Sequence, residues 1–168
     1  VIYNTTITIS LNVSFGNIST GYVYPFPKAQ ITYRSTDMNG FNIAVGIMDP
    51  NKAAADSSED TPRMEFEASY SVDLDSAALK AWVNGVSQSS EVAGISQDQS
   101  GVGYGLNVKF SGLSLTASGY SSEGLGHVAG LDHVVGAESN ESDGMLLQAS
   151  YTMGDNRFVI SSGETENL

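Results

Sequence analysis

Residues 63–72 read RMEFEASYSV, and this stretch decides the class of fold. Apolar side chains occupy every second position, and the side chains between them are charged or small and polar. Successive side chains of a β-strand point to opposite faces of the sheet, so this alternation predicts a strand with one apolar and one polar face. Residues 102–110, VGYGLNVKF, and residues 145–153, MLLQASYTM, alternate in the same way. We therefore predict an all-β protein.

Weaker alternation raises the expected number of strands to ten. The weaker stretches cover about residues 5–14, 18–24, 28–34, 40–48, 78–87, 112–120 and 156–164. Several of the ten approach the roughly 9–11 residues that a tilted strand needs to cross a bilayer. Residues 76–81 have a helical composition, but a turn that leads into a strand explains them better.

The connections between these strands alternate in length. Residues 35–39, 72–77, 111–112 and 154–156 are short, whereas residues 49–62, 89–100 and 121–143 are long and polar. In an antiparallel meander, this order gathers tight turns at one end and large loops at the other. Transmembrane barrels have this asymmetry, so we predict an antiparallel transmembrane β-barrel.

The charge of the chain restricts its function. Seven Lys and Arg stand against nineteen Asp and Glu, which gives a net charge of −12 and argues against a nucleic-acid partner. The absence of cysteine excludes disulfides and thiolate sites. The three long connections carry net charges of −3, −2 and −5, so most of the negative charge lies at one end.

Charges within the clear strands all fall at the polar positions. A charge that faces lipid costs up to about 2–4 kcal/mol at the bilayer midplane, so a barrel wall must keep its outer face uncharged. The polar positions are candidates to line a lumen: Arg34, Arg63, Glu65, Glu67, Asn107, Lys109 and Gln148. The alternate positions are expected to face lipid: Met64, Phe66, Tyr70, Leu106, Val108, Leu147 and Tyr151. Lys80 and Asn84 share the parity of Trp82, which leaves the orientation of that strand open.

Four stretches carry a family resemblance. Residues 15–22, FGNISTGY, resemble a strand–turn–strand of Gram-negative porins with the pattern FGxxxxGR. Residues 29–35, AQITYRS, followed by Gly40 and Phe41, resemble a porin hairpin. Residues 113–120, LSLTASGY, and 159–165, VISSGET, resemble two further porin strands. They occur in order and are spread along the chain from residue 15 to residue 165.

The resemblance implies a fold, a location and a function. The family forms barrels of 16 or 18 strands, usually trimers, in the bacterial outer membrane, and passes small hydrophilic solutes and ions by diffusion. Ten strands are too few for such a barrel, so residues 1–168 are expected to be one internal part of a single porin domain. The implied partners are the lipid bilayer, lipopolysaccharide, further copies of the chain in a homotrimer, and the permeating solutes. No cofactor is implied, and the implied protein is not an enzyme.

The chain departs from the porin pattern at two places. Tyr22 stands where the family has an arginine. At this place porins fold a long third loop into the pore, but here the connection consists only of residues 24–27, YPFP. We therefore expect loop residues to be omitted near residues 25–28. Arg34 matches the strand arginine that lines the porin constriction, with the alternative that it only balances a neighbouring carboxylate.

Catalysis and metal binding have little support in the sequence. Glu65 and Glu67 could serve as a pair of carboxylates for acid–base chemistry, but a solvated wall explains their spacing better. His127 and His133 flank Asp132 in the longest loop, and a metal site needs about three or four converging ligands. We predict no catalytic residue and no metal site.

Two other functions remain open at this point. A small closed barrel could act as a membrane anchor, an adhesin or an outer-membrane enzyme. A soluble, secreted all-β binding module is the third class. Barrel closure separates the first alternative from a large channel, because a lone small sheet must pair its first and last strands.

Overall fold

The computed structural model describes residues 2–9, 28–52, 57–125 and 141–167, which form a single antiparallel sheet of nine strands. The strands are β1 (Ile2–Ile9), β2 (Gln30–Arg34), β3 (Phe41–Met48), β4 (Arg63–Leu74), β5 (Ala77–Val92), β6 (Ile95–Phe110), β7 (Leu113–Glu123), β8 (Glu141–Met153) and β9 (Asn156–Asn167). Within these residues, no helix has the length and apolarity needed to cross a membrane. The predicted all-β class is confirmed.

Strands β2 to β9 form an uninterrupted meander in which each strand pairs with the next one in the chain. Strand β1 is the exception, because it pairs with β9, the last strand, in antiparallel register. Strands β1 and β2 are therefore the two edges of the described sheet, and that sheet is not closed. The predicted strand at 18–24 and the connection at 24–27 lie outside the described residues.

Four tight turns lie at one end of the sheet, which we call the short-turn end: the connections after β2, β4, β6 and β8. The opposite end carries the connections after β3, β5 and β7. Two of the tight turns, Asn39-Gly40 and Ser111-Gly112, have positive φ at both residues. This is the conformation of the type I′ turn, which matches the twist of the paired strands.

One face of the sheet, the apolar face, exposes large hydrophobic side chains on strands β2 to β9. Register shows that they form rows across the sheet, as in the partners Tyr33, Val45 and Phe66. The members predicted to face lipid share this face: Met64, Phe66, Tyr70, Leu106, Leu147 and Tyr151 are exposed, and Val108 is half-buried. A soluble monomer rarely exposes so continuous an apolar surface, so this face requires an apolar environment.

The height of the apolar face fits a membrane. On β4 the outward side chains run from Met64 to Leu74. Ten residue steps of about 3.3 Å, at the tilt of about 40° typical of barrel strands, give a height of about 25 Å. Transmembrane barrels have an apolar band of about this height.

The opposite face, the polar face, carries buried polar side chains although the described strands form one layer. Examples are Gln99, Ser122, Ser142 and Ser150. Side chains on one face of a single sheet become buried when that face is concave, because they converge as the sheet curls. The two faces therefore differ as the outer and inner faces of a barrel wall do.

The structure corrects two expectations. Residues 89–100 are not a long loop: β5 and β6 continue through them and meet at a two-residue turn, Ala93-Gly94. The uncharged apolar face expected for the clear strands also does not extend to β9, where Glu164 lies opposite Met145 on that face.

Candidate functional site

The seven side chains predicted from parity to line a lumen lie on one face of the sheet. Arg34, Ala44 and Glu67 are successive partners across β2, β3 and β4. Asn107 and Gln148 are connected in the same way through Thr116 on β7. Arg63 and Glu65 precede Glu67 on β4, and Lys109 follows Asn107 on β6, each at intervals of two residues. The polar face therefore carries all seven, spread over β2, β4, β6 and β8, and brings into contact the pairs Arg34–Glu67 and Arg63–Glu65.

The polar face is closely packed toward the long connections. Arg63 is only 2% exposed, and its Nη2 lies 2.9 Å from Oε1 of Glu65 and donates to Sδ of Met48 at 3.0 Å. The hydroxyls of Ser122 and Ser142 lie 2.8 Å apart across β7 and β8. A buried charge is costly unless it is paired, and Glu65 on the same strand supplies the opposite charge, while the hydrogen bond to Met48 connects Arg63 to the neighbouring strand β3.

The connection after β3 folds back onto the extended part of β5. The backbone N–H of Asn51 donates to Oε1 of Gln88 at 3.0 Å, and Nε2 of Gln88 donates to the carbonyl of Asn51 at 2.7 Å. Ser58 and Glu91 exchange two backbone hydrogen bonds of 2.9 and 2.8 Å. Strand β5 therefore binds two residues of the acidic connection after β3, Asn51 and Ser58, at this end of the polar face.

Arg34 has a carboxylate partner on the same face. Its Nη1 lies 3.8 Å from Oε1 of Glu67, and the two side chains are 64% and 40% exposed. An ion pair this exposed contributes little to stability, because water and salt screen it. The pair nevertheless cancels most of the field of Arg34 at distances beyond the pair itself.

The polar face is more accessible toward the short-turn end. Lys80, Lys109 and Arg157 are exposed there. Nδ2 of Asn107 donates to Oγ of Ser114, to the carbonyl of Leu115 and to Oγ1 of Thr116, at 2.9, 3.1 and 2.7 Å. This part of the wall is therefore hydrophilic, solvated and fixed by hydrogen bonds between neighbouring strands.

The structure resolves the orientation of β5 and adds an aromatic residue that parity reasoning missed. Trp82 is the partner of Ser69 and Gly105, so Trp82, Lys80 and Asn84 all lie on the polar face. Tyr120, which is 1% exposed, also lies on this face. Its only signal in the sequence is its parity within β7, where the alternate positions are apolar.

The geometry offers no catalytic arrangement in the described strands. Glu65 and Glu67 are paired with two different arginines rather than directed at a common point. Across residues 28–52, 57–125 and 141–166, no three metal-binding side chains converge. His127, Asp132 and His133 lie outside the described residues.

Comparison with known proteins identifies the family. The family described as Gram-negative porin matches residues 2–167, almost the whole chain. No curated protein and no solved structure matches it. The match agrees with the antiparallel meander, the apolar outer face and the polar inner face. The chain belongs to the Gram-negative porin family, whose members reside in the bacterial outer membrane.

Proposed function

We propose that this chain forms part of the wall of a water-filled channel through which small hydrophilic solutes and ions diffuse passively across the outer membrane. The observation that carries the proposal is the separation of the two faces: every Lys and Arg in the described strands β2 to β9 lies on the polar face. A side chain that lines water keeps its hydration, whereas the same side chain against lipid loses it. Nothing in this arrangement calls for an enzyme activity or a cofactor.

Ion conductance and solute flux test the channel directly. The purified protein, inserted into planar bilayers, is expected to give stepwise conductance that is linear in voltage. In liposomes it is expected to admit small sugars and to exclude large ones. Protein that inserts, as judged by protection of its strands from protease, but neither conducts nor admits sugars would refute the proposal.

Two adjacent residues on opposite faces provide a matched control. The chain contains no cysteine, so Gln148→Cys and Leu147→Cys each introduce a single thiol. Gln148 lies on the polar face and Leu147 on the apolar face. A bulky, water-soluble thiol reagent is expected to lower conductance in the Gln148 variant and to leave the Leu147 variant unchanged. The opposite result would mean that the two faces are assigned the wrong way round.

The finer features of the channel are part of the same proposal. We infer a complete barrel of 16 or 18 strands, a homotrimer, and contacts between the acidic connections and lipopolysaccharide. The open edges of the described sheet support further strands, and the family supports the trimer. Chemical cross-linking in outer membranes, followed by electrophoresis without heating, is expected to reveal a band of three chains. A single-chain band under all conditions would exclude the trimer.

One observation favours a second candidate, a small barrel that acts as a membrane anchor. Strand β1 pairs with β9, so the first and last described strands are already neighbours. Closure within a barrel of about ten strands would leave an interior filled largely by side chains. Single-channel conductance separates the two: a wide porin conducts strongly, whereas a filled small barrel conducts weakly or not at all.

A further inference from the structure

The charges on the polar face are balanced differently in its two halves. On β4, the two carboxylates toward the long connections are paired, Glu65 with Arg63 and Glu67 with Arg34, the last residue of β2. In the half toward the short-turn end, the strands carry three cations and one carboxylate: Lys80, Lys109, Arg157 and Asp73. Among strand residues, this half of the face therefore carries more cations than carboxylates, although the turns at the same end add Asp37, Asp75 and Asp155 and the whole chain is at −12.

Lys109 has no acidic neighbour on the strands beside it. Its partners are Ala78 on β5 and Ser114 on β7. The next residues of those strands on the same face are Lys80 and Thr116. A diagonal neighbour in an antiparallel pair lies about 7–8 Å away, so the two ammonium groups can approach one ligand together.

The nearest strand carboxylate, Asp73, is a diagonal neighbour of Lys80, on the strand opposite to that of Lys109. Lys80 pairs with Ser71 on β4, and Asp73 follows Ser71 on the same face. Asp73 is two strands from Lys109, about 10 Å at the usual strand spacing. Within the described residues, neither lysine forms an ion pair with Asp73 or with the turn residue Asp75.

The surroundings of the two lysines suit a hydrated anion. Both side chains are exposed, and Asn107, the partner of Lys80, directs its amide N–H groups at β7. Because the amide of Asn107 already donates to β7, the two ammonium groups are the hydrogen-bond donors at this point of the face that can move toward a solute. An ammonium carries three N–H donors and binds oxyanions as a compact point charge.

We propose that Lys109 and Lys80 form an anion-binding site at the short-turn end of the lumen, for small solutes that carry a carboxylate or phosphate group. This inference rests on the proposed channel function. The site concentrates anions at that mouth, while the paired arginines deeper in the lumen contribute little net field. The net charge of the chain alone would instead predict a preference for cations.

The reversal potential under a KCl gradient measures the effect. At about 7 Å in water, one unit charge changes the local occupancy of an ion about threefold, and screening at 0.1 M salt reduces this to about 1.5-fold. A fixed charge acts on chloride and potassium in opposite directions, so it changes their ratio by the square of this factor. Lys80→Gln/Lys109→Gln is therefore expected to lower the chloride-to-potassium permeability ratio by at least about fivefold, and Asp73→Asn is expected to raise it by about two- to sevenfold.

A neutral pair provides the matched control. Arg34→Gln/Glu67→Gln removes two charges of opposite sign from the same face and is expected to leave the ratio unchanged within about 1.5-fold. An unchanged ratio in the lysine double variant, or an equal change in the control, would overturn the site. If either of these results is obtained while the unmodified protein conducts normally, the anion site is refuted and the channel function is not. If neither the unmodified protein nor any variant conducts, the channel function itself is refuted.

Inorganic phosphate and acetate probe the ligand directly. Phosphate added at the short-turn side is expected to reduce KCl current in the unmodified channel, with a half-blocking concentration that rises at least about twofold in the lysine double variant. Acetate, which carries a single negative charge on a carboxylate, is expected to compete with it. Equal block of both forms from either side would mean that the lysines do not bind the anion.

Discussion

Substitution of Gly144 tests whether the packing of the polar face determines stability. A Cβ at this position would lie 2.1, 2.8 and 2.9 Å from three ring carbons of Tyr120. Ordinary contact between carbons is about 3.5–4.0 Å, so the ring must retreat by more than about 1 Å. Because Tyr120 is 1% exposed, there is no free space into which it can move easily.

The expected cost of Gly144→Ala follows from this geometry. Overpacking a filled site typically costs about 1–3 kcal/mol, which reduces the ratio of folded to unfolded protein about five- to more than a hundredfold. Unfolding by urea in lipid vesicles, followed through the fluorescence of Trp82, the single tryptophan, reports the midpoint. The midpoint should fall while the slope of the transition stays the same.

A double-mutant cycle identifies the cause. Tyr120→Ala removes the ring, so adding Gly144→Ala to that variant should lower the free energy of unfolding by less than about 0.5 kcal/mol. The coupling energy between the two sites should then be about as large as the cost of Gly144→Ala alone. If Gly144→Ala has no effect by itself, the ring does not lie against this glycine. If its cost persists without the ring, the backbone rather than the aromatic contact requires glycine there.

Three further outcomes are expected. Glu164→Leu should stabilise the protein in lipid by about 1–2 kcal/mol in urea titrations, because it removes a carboxylate from the apolar face, and destabilisation would indicate that Glu164 faces a protein partner. Gly105→Ala should shift the emission of Trp82, since the new Cβ would lie 2.1 Å from the indole, and an unshifted spectrum would contradict that contact. Arg34→Ala should move the reversal potential toward cations, because it leaves Glu67 without its cation, and an unchanged potential would exclude this pair from the narrow part of the lumen.

The division between the two faces could be predicted from the sequence because it depends only on local geometry. Side chains alternate along each strand with a period of two, so parity alone assigns Met64 and Glu65 to opposite faces. The tight turn at Ser111-Gly112 was also predictable, because Gly is the residue that readily adopts positive φ. Both signals are contained within a few consecutive residues.

Contacts between strands could not be predicted in the same way, because they depend on register. The ion pair between Arg34 and Glu67 requires the pairing of three strands, and the contact of Tyr120 with Gly144 requires the alignment of β7 with β8. The sequence around any one of these residues does not indicate which residue of another strand it will contact. The pairing of β1 with β9 joins strands from opposite ends of the described chain and has no local signal at all.

The extended hairpin of β5 and β6 explains why residues 89–100 read as a loop. Hydrophobic alternation reports contact with an apolar medium on one face, and it does not report hydrogen bonding between strands. Beyond the level of Val102, both faces of this hairpin carry mainly polar side chains, yet the pairing continues to Val92 and Ile95. A strand that leaves the apolar band therefore loses its sequence signal while it keeps its backbone structure.

The net charge of the whole chain differs from the charge that the polar face presents to a solute. Acidic residues concentrate in the connections and at the rim, where water and ions screen them within about 8–10 Å. Cations in the described strands β2 to β9 instead lie on the polar face, because the apolar face would impose a high cost of desolvation on them. On that face each carboxylate within ion-pair distance cancels one cation, which leaves Lys80, Lys109 and Arg157 as the cations of the described strands outside these two ion pairs. The selectivity of such a wall is therefore determined by which strand charges lack a partner, and an acidic protein can present a cationic passage.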